Sequence, residues 1–419
     1  MKFFTSILFV ICLATFSNAQ SLLDARKGHV TKLVKKESNK VDFPVPPKDL
    51  FSVIEYPSKV GKLKACLSIP TDKKKKNPAI IWLTGGFPVG GVGEYVWEKI
   101  NPKNDQSAQS YRHAGMVMMY PTFRGDQGNP GNIEGYYGEV DDVISAYEYL
   151  SKLEYVDKDR IYIGGHSSGA TLALLAAAAT DKFRGVIAFG PSLDPVEDYS
   201  AKYFYHDLED AKENALRSVI THLDSIKTPT LVIEGDRQYS KVEGLKKAIK
   251  NKTIIQSYPR EANHFDVIYP INRMIAYDLM EDADAISKYT SEKIDTAFET
   301  YTRNTREASD LRTLAYYKER GVKFEEQTVA YYFWTRSERN KDKMKRFTKG
   351  SKRSTFEVIE KKDKKGNVYY EMLLKQKVDL NDLDNVFRVS RSANTLACMG
   401  NVTYDGWDVE PEEKDEADK

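Results

Sequence analysis

The chain is predicted to be an α/β protein with a doubly wound, mostly parallel sheet, followed by a smaller α+β domain. Three observations predict this. Between residues 51 and 283, short apolar strand-like runs alternate with helical stretches, the pattern of a parallel sheet covered on both faces. At Ile161–Ala170 a strand runs through Gly165-His166-Ser167-Ser168-Gly169 directly into an apolar helix. Beyond residue 308 the pattern changes to aromatic-rich strands and charged helices, which reads as a separate module.

The 419 residues suggest two or three domains. Residues 1–19 read as an export signal. Lys2 precedes the apolar run Phe3 to Phe16, and Ser17-Asn18-Ala19 offers small residues for cleavage. That run is short for a membrane span, and no later segment is apolar enough to be one, so a periplasmic or secreted protein is expected. Cys66 and Cys398 fall in different expected domains, so no disulfide framework is expected. Residues 20–50 are charged and carry Pro44, Pro46 and Pro47, as a lead-in does.

Strands are predicted at Phe51–Tyr56, Leu63–Ile69, Ala79–Thr84, Met116–Tyr120, Arg160–Ile163, Val186–Phe189, Thr230–Glu234 and Ile254–Tyr258. The run Lys73–Lys76 reads as a solvated hairpin tip. Val143, Ala146, Tyr147 and Leu150 stand at helical spacing within a helix over Val140–Lys152. Residues 191–226 break the alternation with charge and aromatics and are expected to form a lid. A helix is expected near Ile268–Glu281, then a helical connector over 284–307. From 308 to 409 the pattern reads helix Ala308–Arg320, strand Thr328–Trp334, helix Ser337–Phe347, strands near Ser354–Glu360 and Asn367–Leu374, and helix Leu380–Met399. The tail, 410–419, is acidic.

The G-x-S-x-G turn between strand and helix is the nucleophile elbow of an α/β-hydrolase in its required context. Its sharpness forces a strained backbone on Ser167 and lifts the hydroxyl above the sheet. A serine hydroxyl is a poor nucleophile without a base. Of the six histidines, His264 follows the last strand on a loop at the sheet's C-terminal edge, which gives the chain order Ser, acid, His. His29, His113, His166, His206 and His222 lie elsewhere. The oxyanion of acyl transfer needs amide donors. The backbone of Ser168 is one, and Gly86 or Phe87 in the glycine-rich loop Gly85–Gly91 is the other.

The stretch Tyr155–Ile161, the elbow, Phe123-Arg124-Gly125 and the Asn263-His264-Phe265 turn carry a resemblance. Residues 51–283 resemble the catalytic domain of the prolyl oligopeptidase and dienelactone hydrolase group. The resemblance implies an acid three residues after the strand-end glycine, where this chain has Gln238. Asp236, two residues earlier, is the first choice for the acid; Asp194, after the preceding strand, is the alternative. Gln238 would orient the imidazole without offsetting its charge. Arg124 and Asp126 are expected to pair and hold their loop. The stretches Tyr331–Trp334 and Ala393–Val409, with a Tyr404-Asp405-Gly406-Trp407 turn, resemble the RraB-type domain, named for a regulator of ribonuclease E.

Together these features predict an exported serine hydrolase acting on a small-molecule ester or a peptide. The alternative is a non-catalytic binding or scaffold protein, which Gln238 favours. A protein partner for the C-terminal domain is expected. With a net charge of +2, nucleic acid is not. The scattered histidines give no metal site, and no phosphate-cradling loop or cofactor motif is present.

Overall fold

The computed structural model describes residues 20–349, 351, 354–400 and 402–410. The expected signal segment and all but the first residue of the acidic tail lie outside these. The chain divides into two compact units. The first runs up to Ile233 and includes Ser240–Gln256 and Asn272–Tyr289. The second comprises Glu234–Tyr239, Ser257–Ile271 and the chain from Thr290 on.

After a one-turn helix, α1 (Leu22–Ala25), the chain enters an eight-stranded sheet. Its strands and helices follow in order: β1 (Phe51–Ser58), β2 (Gly61–Ser68), β3 (Asn77–Leu83), α2 (Ser110–Ala114), β4 (Val117–Pro121), α3 (Gly138–Leu150), β5 (Val156–His166), α4 (Ser168–Ala179) and β6 (Val186–Phe189). Then come the short helices α5 (Pro195–Asp198) and α6 (Ala211–Ala215), β7 (Thr230–Ile233), α7 (Tyr239–Ala248), β8 (Ile254–Ser257) and α8 (Ile268–Glu281). The order across the sheet is β1-β2-β4-β3-β5-β6-β7-β8. The β1–β2 and β2–β4 pairs are antiparallel; β4, β3, β5, β6 and β7 are mutually parallel. This is the α/β-hydrolase sheet the sequence predicts.

The reasons are local. Strands β3 and β6 are apolar on both faces and buried almost throughout, as strands covered on two sides must be. Helix α4 is apolar all round, and every one of its residues is buried. Two expectations change. The lysines 73–76 do not cap a hairpin: β4 lies between β2 and β3, so the exposed run belongs to a connection between non-adjacent strands. Helix α7 was not expected, because Gly244 and a dense run of lysines obscure its apolar spacing, where Val242 and Leu245 are its buried residues.

Residues 191–226 fold as short helices and turns, and the lead-in binds directly to them. Leu33 bridges His206, and the Val34 amide donates to the Tyr205 carbonyl at 2.7 Å. Buried Glu213 accepts from Arg217, from the Thr31 hydroxyl at 2.8 Å and from the Lys32 amide at 3.1 Å. A buried carboxylate needs this many donors to offset lost hydration.

In the second unit, α9 (Ser291–Glu319) is a single 29-residue helix capped by the Thr290 hydroxyl. The connector expected to end at 307 is therefore continuous with the helix expected from 308. No glycine or proline interrupts 291–319, so nothing breaks it. There follow β9 (Glu326–Thr335), α10 (Glu338–Thr348), β10 (Ser354–Lys362), β11 (Val368–Asp379), α11 (Leu383–Gly400) and β12 (Thr403–Val409). The four strands form an antiparallel sheet in the order β10-β11-β9-β12. The Tyr404–Trp407 stretch, expected as a turn, is part of edge strand β12, and the register shifts between Tyr404 and Gly406. Tyr331, Phe333, Met344, Met372 and Trp407 build the core there. Trp407 donates its indole N–H to Asp310 at 2.9 Å.

Candidate active site

In the first unit, Ser167 sits between β5 and α4 with φ 53° and ψ −119°. A positive φ is costly for a serine, and the surrounding structure imposes it. The Ser167 amide donates to the Phe189 carbonyl at 2.7 Å, and its carbonyl accepts the first helical bond, from Thr171, at 3.0 Å. A Cβ at Gly169 would collide with the Leu83 carbonyl, so only glycine lets α4 approach β3 this closely.

The Ser168 hydroxyl donates to the Gly86 carbonyl at 2.7 Å. This bond ties the residue after the nucleophile to the glycine-rich loop that holds Gly86 and Phe87. Phe87 stacks on Tyr203 with centroids 4.0 Å apart and meets Tyr199 edge-on at 5.0 Å. Burial raises the phenols of both Tyr136 and Tyr199. The Ser168 side chain acts on the first, and those of Thr171 and Ser167 on the second, in the opposite direction.

A cavity of about 710 Å³ opens beside this cluster, lined by Phe87, Phe123, Tyr136, Glu139 and Tyr203, with Lys35, Glu37 and Asn39 of the lead-in across it. The lead-in is held there: Asn39 donates its amide N–H to the Gly125 carbonyl at 2.5 Å and its side chain to Asp126 at 2.9 Å. Arg124 does not pair with Asp126. It forks onto Asp142 at 2.9 Å through two nitrogens and reaches Glu134 at 2.7 Å. The Arg–Asp clasp of this loop thus joins it to α3, because Asp142 is the fully buried carboxylate on that helix.

In the second unit, His264 Nδ1 lies 3.0 Å from Glu234 Oε2 and 3.2 Å from Oε1. Glu234 is fully buried, and its Oε1 also accepts the Gly235 amide at 2.9 Å. With a carboxylate at Nδ1, the proton of neutral imidazole belongs there and the ring's basic lone pair is on Nε2. Gly235 makes this pairing possible: a Cβ there would strike the Ala262 carbonyl and lie 2.6 Å from that of Asn263. The loop holds its own shape. The Asn263 side chain accepts from the amides of Phe265 and Asp266 at 2.8 and 3.0 Å and donates to the Asp266 carboxylate at 2.7 Å.

The partner of His264 is therefore Glu234, not Asp236, Asp194 or Gln238. Asp236 turns into a cavity with Arg237, Arg260 and Glu261. Asp194 opens α5 in the first unit. Gln238 is exposed, and its amide donates to the Gly235 carbonyl. The signal missed in the sequence is an acidic residue closing the apolar run Thr230–Ile233 and followed directly by glycine. Such a carboxylate is buried by its strand and must find a partner. Among the described residues no group of His, Cys, Asp and Glu is arranged to hold a metal ion, and Cys66 and Cys398 are free thiols.

Residues 102–242 match the family model described as the prolyl oligopeptidase family. The chain is 27% identical over 135 residues to the uncharacterized peptidase YtmA of Bacillus subtilis. That match covers 29% of this chain and 52% of YtmA, about half of the relative's length. Among solved structures it is similar to the 2,6-dihydroxy-pseudo-oxynicotine hydrolase, with 20% identity, a TM-score of 0.42 and coverage of 57% of this chain and 69% of the other. It is also similar to dipeptidyl peptidase 4 of Porphyromonas gingivalis, with 18% identity, a TM-score of 0.41 and coverage of 57% and 35%.

Proposed function

We propose that the protein is a serine hydrolase that cleaves an ester or peptide bond through an acyl-enzyme on Ser167. The hydroxyl oxygen attacks the substrate carbonyl and its proton passes to Nε2 of His264. Glu234 orients the ring and stabilises the imidazolium. The amides of Ser168 and of Gly86 or Phe87 receive the oxyanion. Collapse of the tetrahedral intermediate returns the proton to the leaving alcohol or amine, and water repeats the sequence to free the acid.

The observation that carries this reading is the His264–Glu234 pair. Folding gains little from an imidazole bonded to a fully buried carboxylate, whereas acyl transfer needs that arrangement. The non-catalytic alternative drew its support from Gln238, and Glu234 supplies the carboxylate that Gln238 lacks. The match of residues 102–242 to a peptidase family supports the same reaction class. Export rests on the composition of residues 1–19, and the RraB-type likeness and a protein partner rest on the C-terminal sequence; all three belong to this proposal.

The test is labelling of the full-length protein with a fluorophosphonate, beside turnover of short acyl esters and amides, for the wild type and Ser167→Ala. Labelling and turnover in the wild type alone are expected. Folded wild-type protein that neither labels nor turns over any substrate would overturn the proposal.

A further inference from the structure

Four segments of the second unit meet around a cavity of about 870 Å³: the loop after β7, the histidine loop after β8, one face of α9 and the outer face of α11. Five guanidinium groups line it, those of Arg237, Arg260, Arg303, Arg306 and Arg391. The α9 contribution follows helical spacing: Thr296, Glu299, Arg303 and Arg306 share a face.

Arg391 pairs with Glu307 at 3.2 Å. Among the described residues the other four form no ion pair and no side-chain hydrogen bond. Three carboxylates line the same cavity, Asp236, Glu261 and Glu299, and among the described residues none closes an ion pair with the four. The oxygens of Glu261 accept instead from the Thr395 hydroxyl at 2.8 Å and the Asn394 amide at 3.2 Å, both on α11. Asp236 is half-buried; burial raises its carboxyl, and the charges of Arg260 and Arg237 oppose that shift from a distance. Burial raises the Cys398 thiol of the cavity wall, Arg237 and Arg306 lower it, and Glu261 and Asp266 raise it, so both signs of charge gather around this point. An arginine stays charged at any physiological pH, so five guanidinium charges against the three carboxylates of the lining leave the cavity net positive, and the four without an ion pair have forks to offer an anion. Arginines scattered on one solvated helix would not act together in this way; here they converge from separate loops and a helix onto one concavity.

We infer that this cavity binds a small oligophosphate-type anion. Guanidinium forks match the paired oxygens of phosphoryl groups, and several forks in one concavity select for more than one such group. The site stands independently of the hydrolytic reading. Its coupling to turnover rests on that reading: Arg260 and Glu261 begin the loop that reaches His264 three residues later, so an occupant of the cavity touches the segment that carries the base.

Calorimetric titration of the full-length protein with sodium tripolyphosphate, orthophosphate and citrate at constant ionic strength tests this. Saturable binding of tripolyphosphate at one site is expected, tighter than orthophosphate and citrate. Arg303→Gln with Arg306→Gln should weaken it by at least about tenfold, the scale of losing charge-assisted bonds. Lys343→Gln with Arg346→Gln, which removes the same charge from α10, should leave it unchanged. Arg303 is exposed, so Arg303→Gln alone keeps the test usable if the double variant melts. No saturable binding by the wild type, equal weakening by both double variants, or citrate binding as tightly as tripolyphosphate would each overturn the assignment.

Discussion

Glu234 shows how much one side chain decides. It closes an apolar strand, is fully buried and holds His264 at 3.0 Å. Replacing it with glutamine keeps the shape but leaves the imidazolium without its counter-charge. In the comparable Ser-His-Asp case the loss is about 10⁴-fold in kcat. Glu234→Gln is therefore expected to lower ester turnover by about that factor, whereas Asp236→Asn leaves it essentially unchanged; steady-state kinetics of the two variants separates the assignments. A second carboxyl carries a pH signature. Burial, aided by Glu134 and opposed by Arg124, raises Glu139 from 4.5 to about 7. The folded state then holds this proton more tightly than the unfolded chain, so stability falls as pH rises through the window between these values. The full effect is about 3 kcal/mol. Glu139 accepts the Glu134 and Gly135 amides at 2.8 and 3.2 Å, which a glutamine carbonyl also does. Glu139→Gln should flatten the dependence of the urea midpoint on pH between 5 and 8 and stabilise the protein at the upper end. Neither role was legible in the sequence, since both depend on what buries the carboxyl. Ser167 and His264 were picked out because their chemistry and chain order are visible without burial.

Among elements, the turn between β5 and α4 was the most legible, because its glycines and apolar flanks are contiguous in sequence. Its tightness is a prediction in itself. A methyl at Gly169 would meet the Leu83 carbonyl, which belongs to a buried parallel strand and cannot withdraw. Gly169→Ala should cost about 1–3 kcal/mol by chemical denaturation and, by moving Ser167, a larger share of the activity. The loop after β4 was half legible. Arg124 was expected to clasp, but its partner, Asp142, is a turn into α3 and 18 residues away. Asp142→Ala leaves a buried guanidinium with only Glu134 and should destabilise by about 3–5 kcal/mol, read as a shift in the urea midpoint at unchanged slope. Helix α9 was misread for a reason of scale. Both halves read as helical in the sequence, but the polar first half reads as a separate connector; the change of composition near 307 is not a break, because Ile294 and Phe298 bury the first half and Leu314 anchors the second on the C-terminal core.

For the molecule as a whole, the chain order predicted a hydrolase domain followed by an appended module, yet compactness groups the residues differently. The loops that carry Glu234 and His264 fall in the same unit as everything beyond Thr290. No local sequence signal shows this, since polar side chains join residues as far apart as Glu261 and its α11 partners, 133 and 134 positions on. Glu261 is the clearest joint. It adopts a left-handed backbone, with φ 61°, that costs a glutamate energy, and its carboxylate is gripped by Asn394 and Thr395 of α11. Three residues later stands His264. If the C-terminal module holds this loop in register, cutting the grip should harm turnover without harming the fold. Thr395→Val removes the 2.8 Å bond at an exposed position of α11, where a surface change costs little stability. Combined with Asn394→Ala, it should lower kcat by about 10- to 100-fold, the scale of a misplaced catalytic group, with the melting temperature and KM nearly unchanged. Glu261→Gln alone, with Thr395 and Asn394 intact, keeps an acceptor for the threonine hydroxyl and should lose less of the rate than the double variant. Equal kcat in the double variant and the wild type would mean that the loop keeps its shape through the Asn263–Asp266 bonds alone and that the module serves some other purpose.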